Sequence, residues 1–336
     1  MARFGLISVP RSVRTAVDDA RLAEAHGFSL YGVADSQSVF RELYATLAMC
    51  AQATSRIRLG PTVTNPITRH PAVTAAAIAT VDEIAPGRAM LGVGSGDSAI
   101  LNLGERPVTL GGLREYVEAV RALLARREAD WRGRRARLTW PERPVPLYLA
   151  AEGPRTLELA GEVCDGVIVN LGVRPEDVRD AVARVHAGAR RAGRDPAAID
   201  LWLTVRVNVC ADPAAGLDEI RMELASNAHH VFRFTFEGKR VPPELVEPIR
   251  RVQRGYEPRA HEQLGASANA ALLEAEPALF GYLADRFAVV GPPAACVQRL
   301  RAAAAAGIAN FLFTGFVPDR PRLIRALGEE VLPHLV

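Results

Sequence analysis

Twelve residues from Gly60 to Pro71, GPTVTNPITRHP, combine three prolines with side chains that can form hydrogen bonds. They follow the run 57–59, which is typical of a strand, and Pro71 suits the first position of a helix because its missing N–H costs nothing there. The residues that could present polar groups to a ligand are Thr64, Asn65, Thr68, Arg69 and His70. From the local residues alone, an ordinary turn at Asn65-Pro66 is the favoured interpretation.

A glycine-rich segment, GVGSGDSA, runs from Gly92 to Ala99. Its glycines allow a backbone to approach a ligand closely, and Ser95 and Asp97 can hydrogen-bond to it. Read from Gly92, the segment departs from the dinucleotide-binding motif G-x-G-x-x-G because Asp97 stands at the last glycine position. Read from Gly94, it fits the relaxed motif that ends in alanine, but it follows the fourth strand, whereas that motif follows the first strand of a dinucleotide-binding fold. Taken alone, the segment is more often a tight turn than a binding site.

The segment AAEGPRT, residues 150–156, places Gly153 and Pro154 directly before a predicted helix. Free N–H groups at a helix start bind phosphate, and Arg155 adds a positive charge. A plain helix cap is the alternative interpretation. Asn170, at the end of the next predicted strand, is a second candidate for contacts on the phosphate side.

These segments require strands that end near one another. Apolar runs alternate with helical patterns, such as the helix predicted from about Ser12 to His26. Short, nearly continuous apolar runs such as GVIVN are what a parallel sheet covered on both faces requires. The strand candidates are 4–9, 30–34, 56–64, 88–93, 146–150, 166–170, 201–209 and 310–314.

Eight β-then-α units in 336 residues predict an α/β fold, a closed (β/α)8 TIM barrel that forms a single domain over residues 1–336. An open, doubly wound sheet is the alternative, although no glycine follows the first strand. A polar hairpin is predicted at about 128–144 and a long insertion at about 227–285, with a helix near 269–282. In a barrel such insertion segments often lie over the C-terminal mouth, where active sites form.

The composition excludes several classes of function. The formal net charge of +3 is too balanced for a nucleic-acid partner, and the four cysteines lack metal-ligand or disulfide spacing. His70 and the pair His229-His230 are interpreted as structural, and without an H-x-x-x-H pattern no metal site is predicted. No apolar run is long enough to span a bilayer, so a cytoplasmic protein is expected.

Several motifs together resemble the luciferase-like superfamily of flavin and deazaflavin oxidoreductases, in its methylenetetrahydromethanopterin reductase-like branch. They are the block TNP-x-TRHP at 64–71 and the block GRA-x-x-G-x-G-x-GD at 87–97. PLYLAAEGPRTLELAGEVCDGVIVN, at 146–170, is similar to the family's phosphate-side segment, and 287–315 to its closing strand and helix. The resemblance implies the same (β/α)8 barrel.

The resemblance also implies where a cofactor would lie. A non-proline cis peptide is expected between Thr62 and Val63, with the central ring of a flavin or deazaflavin resting against it. Thr64 and Asn65 would lie within reach of the polar edge of that ring. The other residues expected to contact the cofactor are Ser95, Gly96, Gly153, Pro154, Arg155 and Asn170.

The chain departs from the family at the groups that handle protons. Ile7 stands where the reductases have a glutamate, which in them looks to be the proton donor. Asp35-Ser36 stands where many members of the superfamily have Asp-His, and Glu152 stands where the reductases have glutamine. A substrate that becomes basic needs an acid within hydrogen-bond reach. The remaining candidates are Asp35, Asp97 and Glu152, each of which could have a raised pKa in an apolar mouth or could instead be a solvated carboxylate or an arginine partner.

The expected function is therefore hydride transfer to or from a small organic substrate, with the deazaflavin coenzyme F(420). The alternative is a luciferase-like monooxygenase that uses reduced flavin mononucleotide (FMN) and O2, with a flavin reductase as partner. A barrel that binds without turnover is a third class. The apolar barrel helices favour a homodimer.

Overall fold

The computed structural model describes residues 2–265 and 267–335. Within them, eight parallel strands form a nearly closed barrel, and backbone bridges from Leu59 to Ala89 and from Thr64 to Val93 join its two edges. This confirms the predicted barrel. The barrel strands are β1 (Phe4–Ser8), β2 (Leu30–Val33), β3 (Arg58–Pro61), β4 (Leu91–Val93), β7 (Leu147–Ala151), β8 (Gly166–Val169), β9 (Asp200–Val209) and β11 (Asn310–Phe313). Around the barrel they follow the order β3-β2-β1-β11-β9-β8-β7-β4.

The interior of the barrel is filled at its N-terminal end and open at its C-terminal end. Trp202 and Tyr148 are almost fully buried inside the barrel, and both donate hydrogen bonds to the carboxylate of Asp200. Apolar side chains such as Ile168 and Leu312 pack with them. Because this layer closes the lower end, a ligand can enter only from the C-terminal mouth.

The helices surround the barrel and begin mostly where the sequence indicates. Helix α1 has Ser12 as its N-cap, and α3 begins at Pro71 with His70 as its N-cap, whose Nδ1 accepts a hydrogen bond from the N–H of Ala72 at 3.1 Å. His70 is thus structural, as predicted. The barrel helices are α1 (Val13–Ala25), α2 (Leu43–Ala53), α3 (Pro71–Ile84), α4 (Ser98–Leu101), α5 (Leu110–Leu124), α6 (Pro154–Val163), α7 (Pro175–Arg191), α8 (Pro213–Glu219), α13 (Pro293–Ala305) and α14 (Arg320–Ala326).

The predicted hairpin is present but lies in a different place from the one expected. Its strands β5 (Ala129–Trp131) and β6 (Arg134–Ala136) pair in antiparallel fashion. Trp131 packs edge-on against Tyr116 in the middle of α5, on the outside of the barrel. None of residues 128–144 lines the mouth, so the expectation that this segment lies over the mouth is wrong. An apolar tryptophan within the polar run anchors the hairpin to the helix.

The long insertion is helical and does line the mouth. It begins within α9 (Arg221–His230) and continues through α10 (Val246–Gly255), α11 (Ala268–Glu274) and α12 (Pro277–Phe287). The single helix predicted at 269–282 is two helices, because the N–H that a continuous helix would need is missing at Pro277. A further strand that the sequence analysis did not predict, β10 (Ala288–Gly291), pairs with the second half of β9. Across the described residues, no helix is long and apolar enough to cross a membrane.

Candidate active site at the barrel mouth

A cavity of about 1320 Å³ opens at the C-terminal ends of the barrel strands. Every site residue predicted from the sequence lines it, although the contributing loops are far apart in the chain. These residues are Asp35, Thr62, Val63, Thr64, Asn65, Ser95, Gly96, Asp97, Glu152, Gly153, Pro154, Arg155 and Asn170.

The turn after β3 forms one wall of the cavity. The peptide bond between Thr62 and Val63 is cis, as the resemblance implied. A Cβ at Gly94 would lie 2.9 Å from Cγ2 of Val63, so only glycine lets the two loops approach this closely. The side-chain oxygen of Asn65 accepts hydrogen bonds from the N–H groups of Ile67 and Thr68, both at 3.0 Å, and so fixes the turn itself.

The start of α6 forms the opposite end of the site. Its N-cap, Gly153, has no side chain to cap the helix, and the first intrahelical bond runs from the N–H of Leu157 to the carbonyl of Gly153 at 3.0 Å. The N–H groups of Arg155 and Thr156 precede that bond and lie at the positive end of the helix dipole. Arg155 is exposed and has no ion-pair partner within residues 2–265 and 267–335.

The predicted proton donors are all held by cations or hydrogen-bond donors. Asp35 is buried, forms an ion pair with Arg69 and accepts a hydrogen bond from Thr64 at 2.6 Å. It therefore matches the arginine-partner interpretation rather than that of a free acid.

The expectation of a raised pKa is wrong for Asp97 and Glu152. Burial alone would raise the pKa of Asp97, but His229 and Arg233, whose Nη1 lies 2.7 Å from Oδ1, hold it well below its ordinary value. Burial would likewise raise the pKa of Glu152, yet His230 lowers it. Both carboxylates are therefore ionised at neutral pH and cannot donate a proton.

Sequence reasoning missed the residues that α9 brings to the mouth. Nδ1 of His230 lies 2.6 Å from Oε1 of Glu152, which also accepts a hydrogen bond from Nδ2 of Asn170 at 2.8 Å. Glu223, Asn227 and His230 are spaced i, i+4, i+7 and so share one face of the helix. This spacing was a signal in the sequence, but it spans the start of the insertion, where the family resemblance offers no motif.

Two further cations of the mouth were also missed. Lys239, in the insertion, lines the cavity, and burial lowers its pKa to about 8 against the opposing effect of Glu152. Arg206, near the end of β9, lines the cavity and is only 4% exposed. Both are held in place by α9 and the chain that follows it.

Comparison with known proteins places this barrel and cavity in a family. The model of the luciferase-like monooxygenase family matches residues 2–310. The chain belongs to that family. It is 32% identical to the 5,10-methylenetetrahydromethanopterin reductase of Methanolobus tindarius, over 98% of this chain and 99% of that protein.

Two other members of the luciferase-like family match over nearly the whole chain. The F420-dependent glucose-6-phosphate dehydrogenase of Nocardia farcinica is 30% identical, over 96% of this chain and 94% of that protein. The structure of the coenzyme F420-dependent tetrahydromethanopterin reductase from Methanopyrus kandleri has a TM-score of 0.77 and 25% identity, covering 100% of this chain and 99% of that one. The predicted family, fold and oxidoreductase class are thereby confirmed.

Proposed function

We propose that this member of the luciferase-like family is an oxidoreductase that uses the deazaflavin coenzyme to transfer a hydride to or from a small organic substrate. The observation that carries the proposal is the similarity, over nearly the full chain, to reductases and dehydrogenases that depend on coenzyme F420. When bound, the coenzyme supplies the hydride or accepts it.

The residues of the mouth fit such a group. The wall at Val63 and Gly94 is closely packed, because a Cβ at position 94 would clash with the side chain of Val63. The coenzyme carries a phosphate on its ribityl chain. The uncapped start of α6 offers two N–H groups for it, together with the cation of Arg155, which forms no ion pair among the described residues. In this proposal Thr64 and Ser95 serve the ring side, and Gly153 and Pro154 the phosphate side.

The proton that accompanies the hydride is assigned to His230. Ile7 puts an apolar side chain where the reductases have a glutamate, and the carboxylates of Asp97 and Glu152 stay ionised. His230 lines the cavity, and its ring is held by Glu152, whose Oε1 lies 2.6 Å from Nδ1. A histidine held in that position can give a proton to the substrate during reduction and take it back during oxidation.

The experiment is an equilibrium titration of the purified protein with the deazaflavin coenzyme and, separately, with FMN, followed by fluorescence. The proposal requires that the deazaflavin coenzyme binds at least about tenfold more tightly, a difference of about 1.4 kcal/mol. Tight binding of FMN with indifference to the deazaflavin coenzyme would instead support the monooxygenase alternative. Binding of neither would leave a barrel without a cofactor and refute both.

A further inference from the structure

Arg206 is a buried cation with unused hydrogen-bonding capacity on the cavity wall. Its Nη2 donates to Oδ1 of Asn227 at 2.6 Å. Among the described residues its Nε is buried without a hydrogen-bond partner, and Oε2 of Glu223 lies 3.8 Å away. Within the same residues Nη1 makes no hydrogen bond either. Because Nε is closed to solvent, Nη1 is the group through which Arg206 can bind a ligand oxygen in the cavity, and a hydrogen bond to a charged donor contributes about 1.5–3 kcal/mol.

The guanidinium is fixed from behind. Glu223 is fully buried and accepts hydrogen bonds from the N–H of Phe316 at 2.7 Å, the N–H of Gly315 at 3.3 Å and the hydroxyl of Thr314. Burial raises the pKa of Glu223, while Arg206 and these donors act in the opposite direction. The hydrogen bonds link α9 to the end of β11. Because Glu223 and Asn227 are one turn apart on α9, the helix holds Arg206 in one orientation.

The acidic groups around Arg206 select the kind of oxygen it can bind. Glu223 lies 3.8 Å from its Nε, and Glu262, only 8% exposed, lines the same cavity. A substrate carboxylate would be a third acidic group beside this arginine. A neutral carbonyl or hydroxyl oxygen can accept a hydrogen bond from Nη1 without adding such a group.

The remaining surface near Arg206 is suited to the uncharged part of such a molecule. Ile7 and Phe316 contribute apolar surface to the cavity, and the hydroxyl-bearing Thr204 and Thr314 line it as well. We infer that Arg206 binds the carbonyl or hydroxyl oxygen of an uncharged ketone, aldehyde or alcohol, which is the substrate class of this enzyme. The inference rests on the proposed hydride transfer, and it assigns Glu223 and Asn227 as positioning residues.

The test measures binding of three probes with one carbon skeleton, cyclohexanone, cyclohexanol and cyclohexanecarboxylate. Affinities are determined by ligand-observed NMR with the protein free of coenzyme and again with coenzyme bound. We expect the ketone and the alcohol to bind at least about tenfold more tightly than the carboxylate, since a hydrogen bond to a charged donor contributes about 1.5–3 kcal/mol. Tighter binding of the carboxylate, or no binding of any probe, overturns the inference.

The variants separate this role from a structural one. Arg206→Met leaves the buried carboxyl of Glu223 without its neighbouring cation, so the double variant Arg206→Met with Glu223→Gln removes both ionisable groups. We expect both variants to lose about tenfold or more in ketone affinity while the coenzyme affinity is unchanged. The control Arg88→Met removes an arginine that donates to the carbonyls of Ala51 and Thr54 away from the cavity, and should change stability without changing ketone affinity.

Each failure has a different meaning. Unchanged ketone affinity in the double variant refutes the role of Arg206 even if the coenzyme binds normally. Failure of the wild-type protein to bind the coenzyme counts against the proposed function, while the probe affinities of the coenzyme-free protein still decide where the oxygen binds.

Discussion

Replacement of Arg155 by alanine tests the phosphate end of the site. Arg155 is exposed at the first turn of α6 and has no ion-pair partner among the described residues, so its loss leaves no buried charge behind. A charge-assisted hydrogen bond contributes about 1.5–3 kcal/mol, and solvent screening at an exposed site favours the lower value. We therefore expect the coenzyme affinity to fall by about 1.5 kcal/mol, which is about tenfold.

The assay is a fluorescence titration with the coenzyme and with its phosphate-free chromophore. Because the lost contact is to the phosphate, Arg155→Ala should weaken only the phosphorylated ligand. Arg179→Ala, which removes an exposed arginine on α7 outside the cavity lining, is the matched control and should weaken neither. An equal loss for both ligands, or no loss for either, would show that the phosphate lies elsewhere.

Three further predictions concern the proton, a buried lysine and a carboxylate outside the site. His230→Gln should lower kcat by about 10²–10⁴-fold with little change in coenzyme affinity, as measured by steady-state kinetics and titration; an unaffected kcat would refute the assignment. Coenzyme affinity should fall as pH rises through about 8, because Lys239 then loses its charge, and titrations of Lys239→Gln should show no such step. Glu24 accepts bonds from the N–H groups of 55–57, and although burial alone would raise its pKa, these bonds lower it to about 2. The free energy of unfolding gained from these bonds is present above the unfolded pKa of Glu24 and is lost as pH falls toward 2. In urea unfolding, Glu24→Gln should therefore lower the free energy of unfolding by about 1.5 kcal/mol at neutral pH and by clearly less near the folded pKa. Equal losses at both pH values would contradict this.

The parts of the molecule that the sequence predicted are those set by local pattern. Runs such as Gly166–Val169 are apolar because both faces of the strand are covered, and the order of strands and helices then predicts the barrel. The turn at Thr62 and Val63 was placed at the site by the family resemblance, since its local residues alone favour an ordinary turn. The start of α6 was a phosphate candidate from its own residues, with a plain helix cap as the alternative. Their meeting in one cavity follows from the barrel geometry.

The parts that could not be predicted depend on contacts between distant segments. The pKa of Asp97 is lowered by Arg233, which is 136 residues away in the chain. Similarly, His230 reaches Glu152 only because the insertion folds back over the mouth. Periodicity and spacing describe neighbours in the chain, so the charge balance of the mouth could not be read from them.

The central claim is that the coenzyme lies between the turn at Val63 and the start of α6, and a crystal structure of the protein with the bound deazaflavin coenzyme tests it most directly. The account predicts that the ring rests against Thr62 and Val63 and that the phosphate accepts hydrogen bonds from the N–H groups of Arg155 and Thr156. A phosphate bound away from α6, or a ring outside the wall formed by Val63 and Gly94, would contradict it.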